Sequence, residues 1–264
     1  MRLGIGSWTF PWAIGVPGYP QPPAPLTPAG LLDKAVELGV GLVQFADNLP
    51  LDALGPAEIG QLSTKARDLN IGVELGTRGV ETEHLLRYLE LCRRLGSPLL
   101  RTLADPDLER TAAAIGQVLP AFESSGVAIA LENYEAHTTR ELAGLVRRVN
   151  SPALGICLDT VNSLGALETP EQAASELSPH VLNLHVKDFD IIRVPSRMGF
   201  SVVGRPAGEG RLDVPRLLAE IRKHGRDPSV VLELWAPFSD SLEATIRTEE
   251  DWAKRSIGYL RGLA

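Results

Sequence analysis

Between residues 127 and 188 the chain reads VAIALEN (127–133), ALGICLDT (153–160) and VLNLHVKD (181–188). Each of these segments contains an apolar run with the length of a buried strand. Each run also leads to a side chain that can bind a metal ion: Glu132, Asp159 or His185. Successive runs are separated by about one strand plus one helix, which is the repeat of a parallel α/β fold. The stretch therefore predicts parallel strands whose carboxyl ends bring polar residues to one site.

The rest of the chain continues the same repeat. Eight apolar runs are predicted as strands: LGIGS (3–7), VGLVQF (40–45), IGVEL (71–75), PLLRTL (98–103), VAIALE (127–132), ALGICLD (153–159), VLNLHVK (181–187) and SVVLEL (229–234). Segments with helical periodicity lie between them, for example LLDKAVEL (31–38) and VPRLLAEIRKHG (214–225). Eight strand–helix units predict an α/β protein with a (β/α)8 TIM barrel, in a single domain over residues 1–264. A doubly wound open sheet is the alternative, but no GxGxxG motif follows the first strand.

The composition disfavours several classes of partner. The net charge of −7 does not suit a nucleic-acid-binding protein, because contacts to phosphates need a basic surface. No apolar run approaches the roughly 18 residues that can span a membrane. The N-terminal MRLGIGSW is predicted to be a strand rather than a signal peptide, so we expect a cytoplasmic protein. Cys92 and Cys157 have no CxxC partner and are predicted to be small buried side chains.

Four residues at strand ends form the predicted metal site: Glu132, Asp159, His185 and Glu233. Any one of them alone could be an ion-pair partner or a helix N-cap. Three carboxylates gathered at one place, however, would repel one another without a cation. The four residues therefore predict one divalent metal ion. Three oxygen ligands and one nitrogen ligand suit Mn²⁺ best, with Mg²⁺ and Co²⁺ as alternatives, and would tolerate Zn²⁺.

Side-chain alternation along the strands places further residues at the mouth of the barrel. Lys187 shares the inward face of its strand with His185, whereas Asp188 is predicted to point outward and to be structural. Two long loops, 9–27 and 188–212, leave the carboxyl ends of strands and are predicted to be lids. Because the first and eighth strands are neighbours in a closed barrel, three tryptophans are expected to gather at the mouth: Trp8, Trp12 and Trp235. Such an aromatic wall can stack on the carbon face of a sugar, and packing of the lid explains it equally well.

These residues predict an enzyme that acts on a carbonyl compound. A divalent cation can hold the carbonyl and the adjacent hydroxyl of a ketose, which makes the C–H between them acidic. Glu132 and Glu233 are then the predicted acid and base. Lys187 is expected to donate to the oxyanion that develops on the substrate.

Five short motifs carry a resemblance to a known family: LEN (131–133), CLDTVNS (157–163), NLHVKD (183–188), GRPAGEG (204–210) and LELW (232–235). On these motifs the sequence resembles the xylose isomerase-like TIM barrel superfamily, in particular its sugar phosphate isomerase/epimerase group, over nearly the whole chain. The resemblance implies one divalent metal bound by the Glu, Asp, His and Glu of these motifs. It also implies that the two glutamates act as acid and base in a sugar isomerase or epimerase.

The sequence departs from that group where the substrate is expected to bind. Several of the group's epimerases have a histidine at the position of Asn162, and asparagine can hydrogen-bond a hydroxyl but cannot carry a proton at neutral pH. The family's arginine after the metal-binding histidine matches Arg193 only loosely. Arg193 also belongs to an arginine-rich stretch with Arg197 and Arg205. We expect Arg193 to bind an anionic group of the substrate, or else to order its loop by pairing with an acid such as Asp190.

The predicted function is a divalent-metal-dependent isomerase or epimerase of a small sugar, sugar phosphate or sugar acid, and the oligomeric state is left open. The main alternative is a metal-dependent lyase, either a decarboxylase of a 3-oxo sugar acid or an inosose-type dehydratase, because these reactions also need a stabilised enolate. A non-catalytic sugar-binding barrel is a third hypothesis, disfavoured by the intact ligand set. The DNA-cleaving branch of the superfamily is disfavoured by the scarcity of histidines at strand ends and by the acidic net charge.

Overall fold

The strands form a closed barrel in a computed structural model, which describes residues 2–263. The strands are β1 (Arg2–Gly6), β2 (Leu42–Phe45), β3 (Gly72–Gly76), β4 (Leu99–Leu103), β5 (Ala128–Glu132), β6 (Leu154–Asp159), β7 (Val181–Val186), β8 (Asp188–Arg193), β9 (Phe200–Arg205) and β10 (Ser229–Leu232). All but β8 and β9 belong to the barrel, where each strand pairs in parallel with its neighbours. Because β1 pairs with both β2 and β10, the sheet is closed. The predicted (β/α)8 barrel is confirmed.

Helices surround the barrel and bury their apolar faces against it. They are α1 (Pro11–Ile14), α2 (Pro28–Leu38), α3 (Pro56–Asp68), α4 (Thr82–Leu95), α5 (Leu108–Ser125), α6 (Thr139–Val149), α7 (Pro170–Leu177), α8 (Val214–Lys223) and α9 (Leu242–Arg261). Their ends follow from local sequence: the Thr138 hydroxyl and the Glu141 carboxylate cap α6 reciprocally. Gly96 and Gly126 end α4 and α5 in the left-handed conformation. None of the helices within residues 2–263 is long and apolar enough to cross a membrane.

A polar layer lies inside the barrel among the apolar core residues. The Gln44 amide nitrogen lies 3.2 Å from both Glu74 Oε2 and Asn183 Oδ1, and the Asn183 amide nitrogen donates to Glu74 Oε2 at 3.1 Å. All three side chains are buried. Burial raises the pKa of Glu74 above its usual value. This layer matters for function because it supports the residues at the strand ends.

The first long loop, 9–27, packs against the last part of the chain. Trp12 is buried and its indole N–H donates to the Ala236 carbonyl at 2.7 Å. Its ring contacts two further aromatic rings: Tyr19 and Phe238. The Glu249 carboxylate of α9 accepts the backbone N–H groups of Trp12 and Ala13, and burial raises the pKa of Glu249 to about 8. Sugar stacking and packing of the lid were the two explanations that we gave for this tryptophan. The contacts of Trp12 fit packing of the lid.

The second long loop, 188–212, contains an antiparallel hairpin that the sequence pattern did not predict. Its strands β8 and β9 pair over their full length, from Asp188 with Arg205 to Arg193 with Phe200. The hairpin was missed because the sequence around and between its strands is rich in glycine, proline and arginine, which is typical of a loop. It projects from the carboxyl end of β7 beside the mouth of the barrel.

Asp188 fixes the base of this hairpin, as expected for a structural residue. Its carboxylate accepts four backbone N–H groups at 2.7–3.0 Å: those of Phe189, Gly208, Gly210 and Leu212. Gly210 is required for this close approach, because a Cβ at that position would lie 2.2 Å from Asp188 Oδ1. One buried carboxylate thus holds the hairpin and the GRPAGEG turn together.

We expect Asp188→Ala to lower the free energy of unfolding by about 2 kcal/mol or more, because four backbone N–H groups lose their acceptor. Asp190→Ala is the matched control: this aspartate of the same strand makes more exposed ion pairs with Arg211 and Arg205, so its replacement should change the free energy of unfolding much less. Urea unfolding followed by circular dichroism measures both. Equal losses in the two variants would show that Asp188 does not anchor the turn.

Candidate active site

The four predicted metal ligands come together at the carboxyl end of the barrel. Glu132 and Asp159 are the last residues of β5 and β6, His185 lies one residue before the end of β7, and Glu233 directly follows β10. The side chains of all four are at most 2% exposed. Because parallel strands in a barrel all present their carboxyl ends to the same face, residues far apart in sequence become neighbours here.

His185 lies at the centre of the cluster. Its Nδ1 atom is 3.2 Å from Glu233 Oε1 and 3.7 Å from Glu132 Oε2. Ligand atoms of Asp159, His185 and Glu233 all lie within 4.8 Å of one another, and so do those of Glu132, Cys157 and His185. The geometry therefore places Asp159, His185 and Glu233 as one group, with Glu132 joined to it through His185.

The hydrogen bonds of Gln44 determine which nitrogen of His185 faces the carboxylates. The Gln44 amide nitrogen donates to Glu74 and Asn183, so its oxygen Oε1 faces His185 Nε2 at 2.8 Å. An amide oxygen only accepts, so His185 Nε2 carries the proton. In the neutral imidazole Nδ1 is then the nitrogen with the lone pair, and it points at the carboxylates of the cluster.

This arrangement fits a cation. His185 Nδ1 and Glu233 Oε1 are buried, face each other, and have no hydrogen-bond partner within residues 2–263. A neutral imidazole nitrogen and a carboxylate oxygen in contact repel each other, whereas a metal ion would use both lone pairs. Asp159 is oriented in the same way, because its Oδ1 accepts the N–H groups of Val161 and Asn162 at 2.8 Å, which turns Oδ2 toward the site.

Lys187 supplies positive charge to this cluster. Its ammonium lies 2.8 Å from Asp159 Oδ2 and 2.9 Å from Glu233 Oε2. Burial by itself lowers the pKa of Lys187, but Asp159, Glu233 and Glu132 together raise it above its ordinary value. Lys187 therefore stays charged and bridges two of the predicted ligands.

Arg101 of β4 neutralises the fourth ligand. Its Nε donates to Glu132 Oε2, while the Asn162 amide donates to Glu132 Oε1 at 2.7 Å. Its Nη1 reaches Asp47 Oδ1 at 3.2 Å and the Thr77 carbonyl at 3.1 Å. Burial lowers the pKa of Arg101, but Glu132 and Asp47 more than offset this, so the guanidinium is charged. Both oxygens of Glu132 are consequently occupied.

A cavity of about 220 Å³ opens above the cluster. Its lining residues are Trp8, Asp47, Arg78, Arg101, Glu132, Tyr134, Asn162, Lys187, Glu233, Leu234 and Trp235. Trp8 is oriented by its indole N–H, which donates to Asp47 Oδ1 at 3.2 Å. A cavity of this size holds a small molecule of a few carbon atoms, with the cluster of Glu132, Asp159, His185 and Glu233 at its floor.

The predicted substrate residues divide into two groups. Trp8, Asn162 and Trp235 line the cavity, whereas Trp12 is buried between the first loop and the end of the chain and does not line it. Arg193 is also absent from the lining: it lies in the exposed part of the hairpin, over the ring of Phe200, and donates to the Arg197 carbonyl. The geometry thus favours the loop-ordering alternative for Arg193, although it pairs with a backbone carbonyl and a ring rather than with an acid.

Sequence reasoning missed several polar residues of the site: Gln44, Asp47, Arg78, Arg101 and Tyr134. Two of these carried a usable signal, because Gln44 and Arg101 are polar residues inside the apolar strand segments VGLVQF and PLLRTL. A polar side chain in a strand buried on both faces needs a partner inside the barrel. Asp47, Arg78 and Tyr134 lie in loops after strand ends, where nothing in the sequence separates them from solvated residues.

Comparisons with known proteins agree with the fold. A family model described as xylose isomerase-like TIM barrel matches residues 32–263. The 3-oxo-isoapionate decarboxylase of Pectobacterium atrosepticum is 37% identical, with 98% of this chain and 95% of that protein covered. The 2-epi-5-epi-valiolone 7-phosphate 2-epimerase of an Actinoplanes species is 28% identical over 88% of this chain and 91% of that protein. A xylose isomerase-like TIM barrel protein of Mycobacterium smegmatis in complex with magnesium has a TM-score of 0.68 at 16% identity, covering 100% of this chain and 98% of that one.

We expect Gln44→Met to weaken Mn²⁺ binding by about 10–100-fold, because His185 loses the acceptor that fixes its proton on Nε2. Isothermal titration calorimetry measures the affinity, and a thermal melt checks that the variant is folded. Gln61→Met, on the exposed surface of α3, is the control and should bind Mn²⁺ like the parent protein. Unchanged affinity in folded Gln44→Met would mean that this hydrogen bond does not orient a metal ligand.

Proposed function

The chain belongs to the xylose isomerase-like TIM barrel family, and we propose that it is a divalent-metal-dependent decarboxylase of a 3-oxo sugar acid. This replaces an isomerase or epimerase as the preferred function and adopts the lyase alternative. The 37% identity to 3-oxo-isoapionate decarboxylase over nearly the full length of both proteins supports the proposal. The observation that carries it is the difference between the two glutamates of the cluster.

An epimerase needs two groups that exchange protons with the substrate carbon, one on each face. Here both oxygens of Glu132 accept hydrogen bonds, from Arg101 and from Asn162. At Glu233, by contrast, Oε1 accepts no hydrogen bond within residues 2–263, while Oε2 lies 2.9 Å from the ammonium of Lys187 and accepts nothing else there. One available glutamate suits a decarboxylation, in which carbon dioxide leaves and the remaining carbon takes up a single proton.

The charge of the site supports an acidic substrate. Four carboxylates surround the cavity and its floor: Asp47, Glu132, Asp159 and Glu233. Three cations balance them: Arg78, Arg101 and Lys187. The net charge of these seven side chains is −1 without a metal, and it becomes +1 when a divalent cation is added. A site with one excess positive charge favours a monoanion such as a 3-oxo carboxylate over a neutral sugar.

Asp159, His185 and Glu233 would hold the cation, with Glu132 beside them. A divalent cation bound there would supply a Lewis acid for the ketone oxygen of the substrate. Lys187 adds a fixed positive charge beside that oxygen as negative charge develops on it. When the bond between the α-carbon and the carboxylate breaks, its electron pair stays on the substrate and carbon dioxide departs. Glu233 then passes one proton from the Lys187 ammonium, 2.9 Å away, to the α-carbon, and Lys187 regains a proton from solvent water.

A sugar epimerase is the second candidate function. It is favoured by the 28% identity to 2-epi-5-epi-valiolone 7-phosphate 2-epimerase and by the presence of glutamates on both β5 and the end of β10. For this function, substrate binding would have to release Glu132 from Arg101 or Asn162. The two candidates differ in product, so one assay separates them.

The assay incubates the Mn²⁺-loaded protein in deuterated water with 3-oxo sugar acids and, separately, with ketoses. We expect carbon dioxide release from a 3-oxo acid and one deuterium at the α-carbon of the ketone product. Exchange of a ketose C–H with solvent, without carbon dioxide release from any acid, would establish the epimerase instead and overturn the proposal.

In the same assay, Glu233→Gln should lower kcat by at least roughly 100-fold at full metal loading, because amide nitrogen cannot deliver the proton. Metal content is measured in parallel, since Glu233 is also a proposed ligand. Glu135→Gln, an exposed glutamate after β5, is the control and should keep the parent kcat. A metal-loaded Glu233→Gln variant with near-parent kcat would remove Glu233 from the proton-transfer role.

A further inference from the structure

Arg101 is a buried cation whose hydrogen bonds are incomplete. Its side chain is 5% exposed, and three groups hold it: Glu132 at Nε, and Asp47 and the Thr77 carbonyl at Nη1. A guanidinium offers five N–H donors in a fixed plane. The remaining nitrogen, Nη2, makes no hydrogen bond to any residue in the range 2–263.

Nη2 reaches the cavity. This nitrogen has no hydrogen-bond partner within residues 2–263, but it is not fully enclosed by protein atoms. Part of its surface is therefore open. Arg101 is otherwise buried and lines the cavity, which makes the cavity the space into which that surface opens. A charged donor pair in a nearly enclosed space is a strong binding point for an anion, because little water competes with the ligand.

The surrounding contacts fix Arg101 in position. Glu132 and Asp47 hold Nε and Nη1 from two sides, so the direction of Nη2 is set before any ligand enters. The other oxygen of Asp47, Oδ2, contacts Arg78 Nε at 3.1 Å. Arg78 lines the same cavity, lies 5.5 Å over the Tyr134 ring and is half exposed. Asp47 thus holds a buried arginine and a more exposed one at the same end of the cavity.

We propose that Arg101 Nη2 binds the carboxylate of an acidic substrate, with Arg78 closing over that carboxylate from the rim. The proposal rests on the proposed function and specifies where its substrate's acid group lies. It transfers to Arg101 the anion-binding role that the sequence suggested for Arg193, which does not line the cavity.

The position of Arg101 relative to the metal-binding cluster fits a 3-oxo acid. Glu132 Oε2 contacts Arg101 Nε and is also 3.7 Å from His185 Nδ1, so a single carboxylate separates the arginine from the cluster. In a 3-oxo acid the ketone and the carboxylate are attached to the same carbon. A substrate with its ketone at the cluster can therefore reach Arg101 with its carboxylate without spanning the cavity. An acid group at the far end of a longer chain would not be placed there.

The probes are a 3-hydroxy sugar acid, which lacks the ketone and cannot lose carbon dioxide, and its neutral primary amide. Calorimetric titration at saturating Mn²⁺ gives the affinity of each. We expect the parent protein to bind the acid at least roughly tenfold more tightly than the amide, as one charged hydrogen-bonded pair allows. Arg101→Met should remove this preference while binding the amide about as well as the parent.

Arg101→Lys is the second variant, because removing the charge beside Glu132 could prevent folding or metal binding. Lysine keeps that charge but lacks the planar fork, so it should reduce the preference for the acid while Mn²⁺ affinity and thermal stability stay close to those of the parent. Arg110→Lys, an exposed arginine of α5, is the matched control and should leave the preference unchanged.

The outcomes separate this inference from the proposed function. If the parent protein releases carbon dioxide and Arg101→Lys keeps the full preference for the acid, the Arg101 assignment is wrong and the decarboxylase stands. Equal loss of affinity for acid and amide in both variants also overturns it, because Arg101 would then only support the site. The opposite result is also informative. If the parent protein decarboxylates no acid, but both variants lose the preference for the acid, the anion site stands and the decarboxylase is rejected.

Discussion

The balance of charge at the mouth of the barrel is the constraint on which the rest of the site depends. Asp159, Glu132 and Glu233 are almost completely buried within a few ångströms of His185. Carboxylates in that position repel one another and lose their hydration, so each needs a cation or a donor. Lys187 and Arg101 provide two cations, and His185 Nδ1 and Glu233 Oε1, which have no hydrogen-bond partner in the described part of the chain, leave a place for a third. The cluster is thus organised around positive charge that the side chains supply only in part.

The barrel provides the rigidity that such a cluster requires. The strand ends carry the ligands, while the layer of Gln44, Glu74 and Asn183 beneath them fixes the proton of His185. Strands hold side chains more precisely than loops do, which suits a site where repulsion would otherwise spread the carboxylates apart. The loops form the walls of the cavity, and buried carboxylates keep them in place. Asp188 anchors the hairpin, and Glu249 anchors the first loop.

The sequence predicted the parts of this structure that follow from a repeated pattern. The eight strands and the closed barrel follow from apolar runs at regular spacing, and the positions of Asp159, His185 and Glu233 follow from the ends of those runs. It could not predict the hairpin of β8 and β9, since the glycine, proline and arginine residues around and between these strands give the segment the composition of a loop. Nor could it choose between the roles of Trp12, because an aromatic residue serves packing and sugar stacking alike. Arg193 and Arg101 show most clearly what the sequence could not predict. Arg193 was chosen because it lies in an arginine-rich stretch of the chain, whereas the place of Arg101 in the site depends on how the strands pack together.

A crystal structure of the protein grown with Mn²⁺, with anomalous diffraction used to locate the metal, tests whether this cluster is a metal site. We predict one anomalous peak at the carboxyl end of the barrel, bound by His185 through Nδ1 and by the carboxylates of Asp159 and Glu233. Glu132 should lie beside it, and Lys187 should have moved from at least one of its two carboxylate partners. The assignment would be contradicted by a peak elsewhere in the protein or by a metal bond through His185 Nε2. It would also be contradicted if no peak appeared at saturating Mn²⁺ and Lys187 still bridged Asp159 and Glu233.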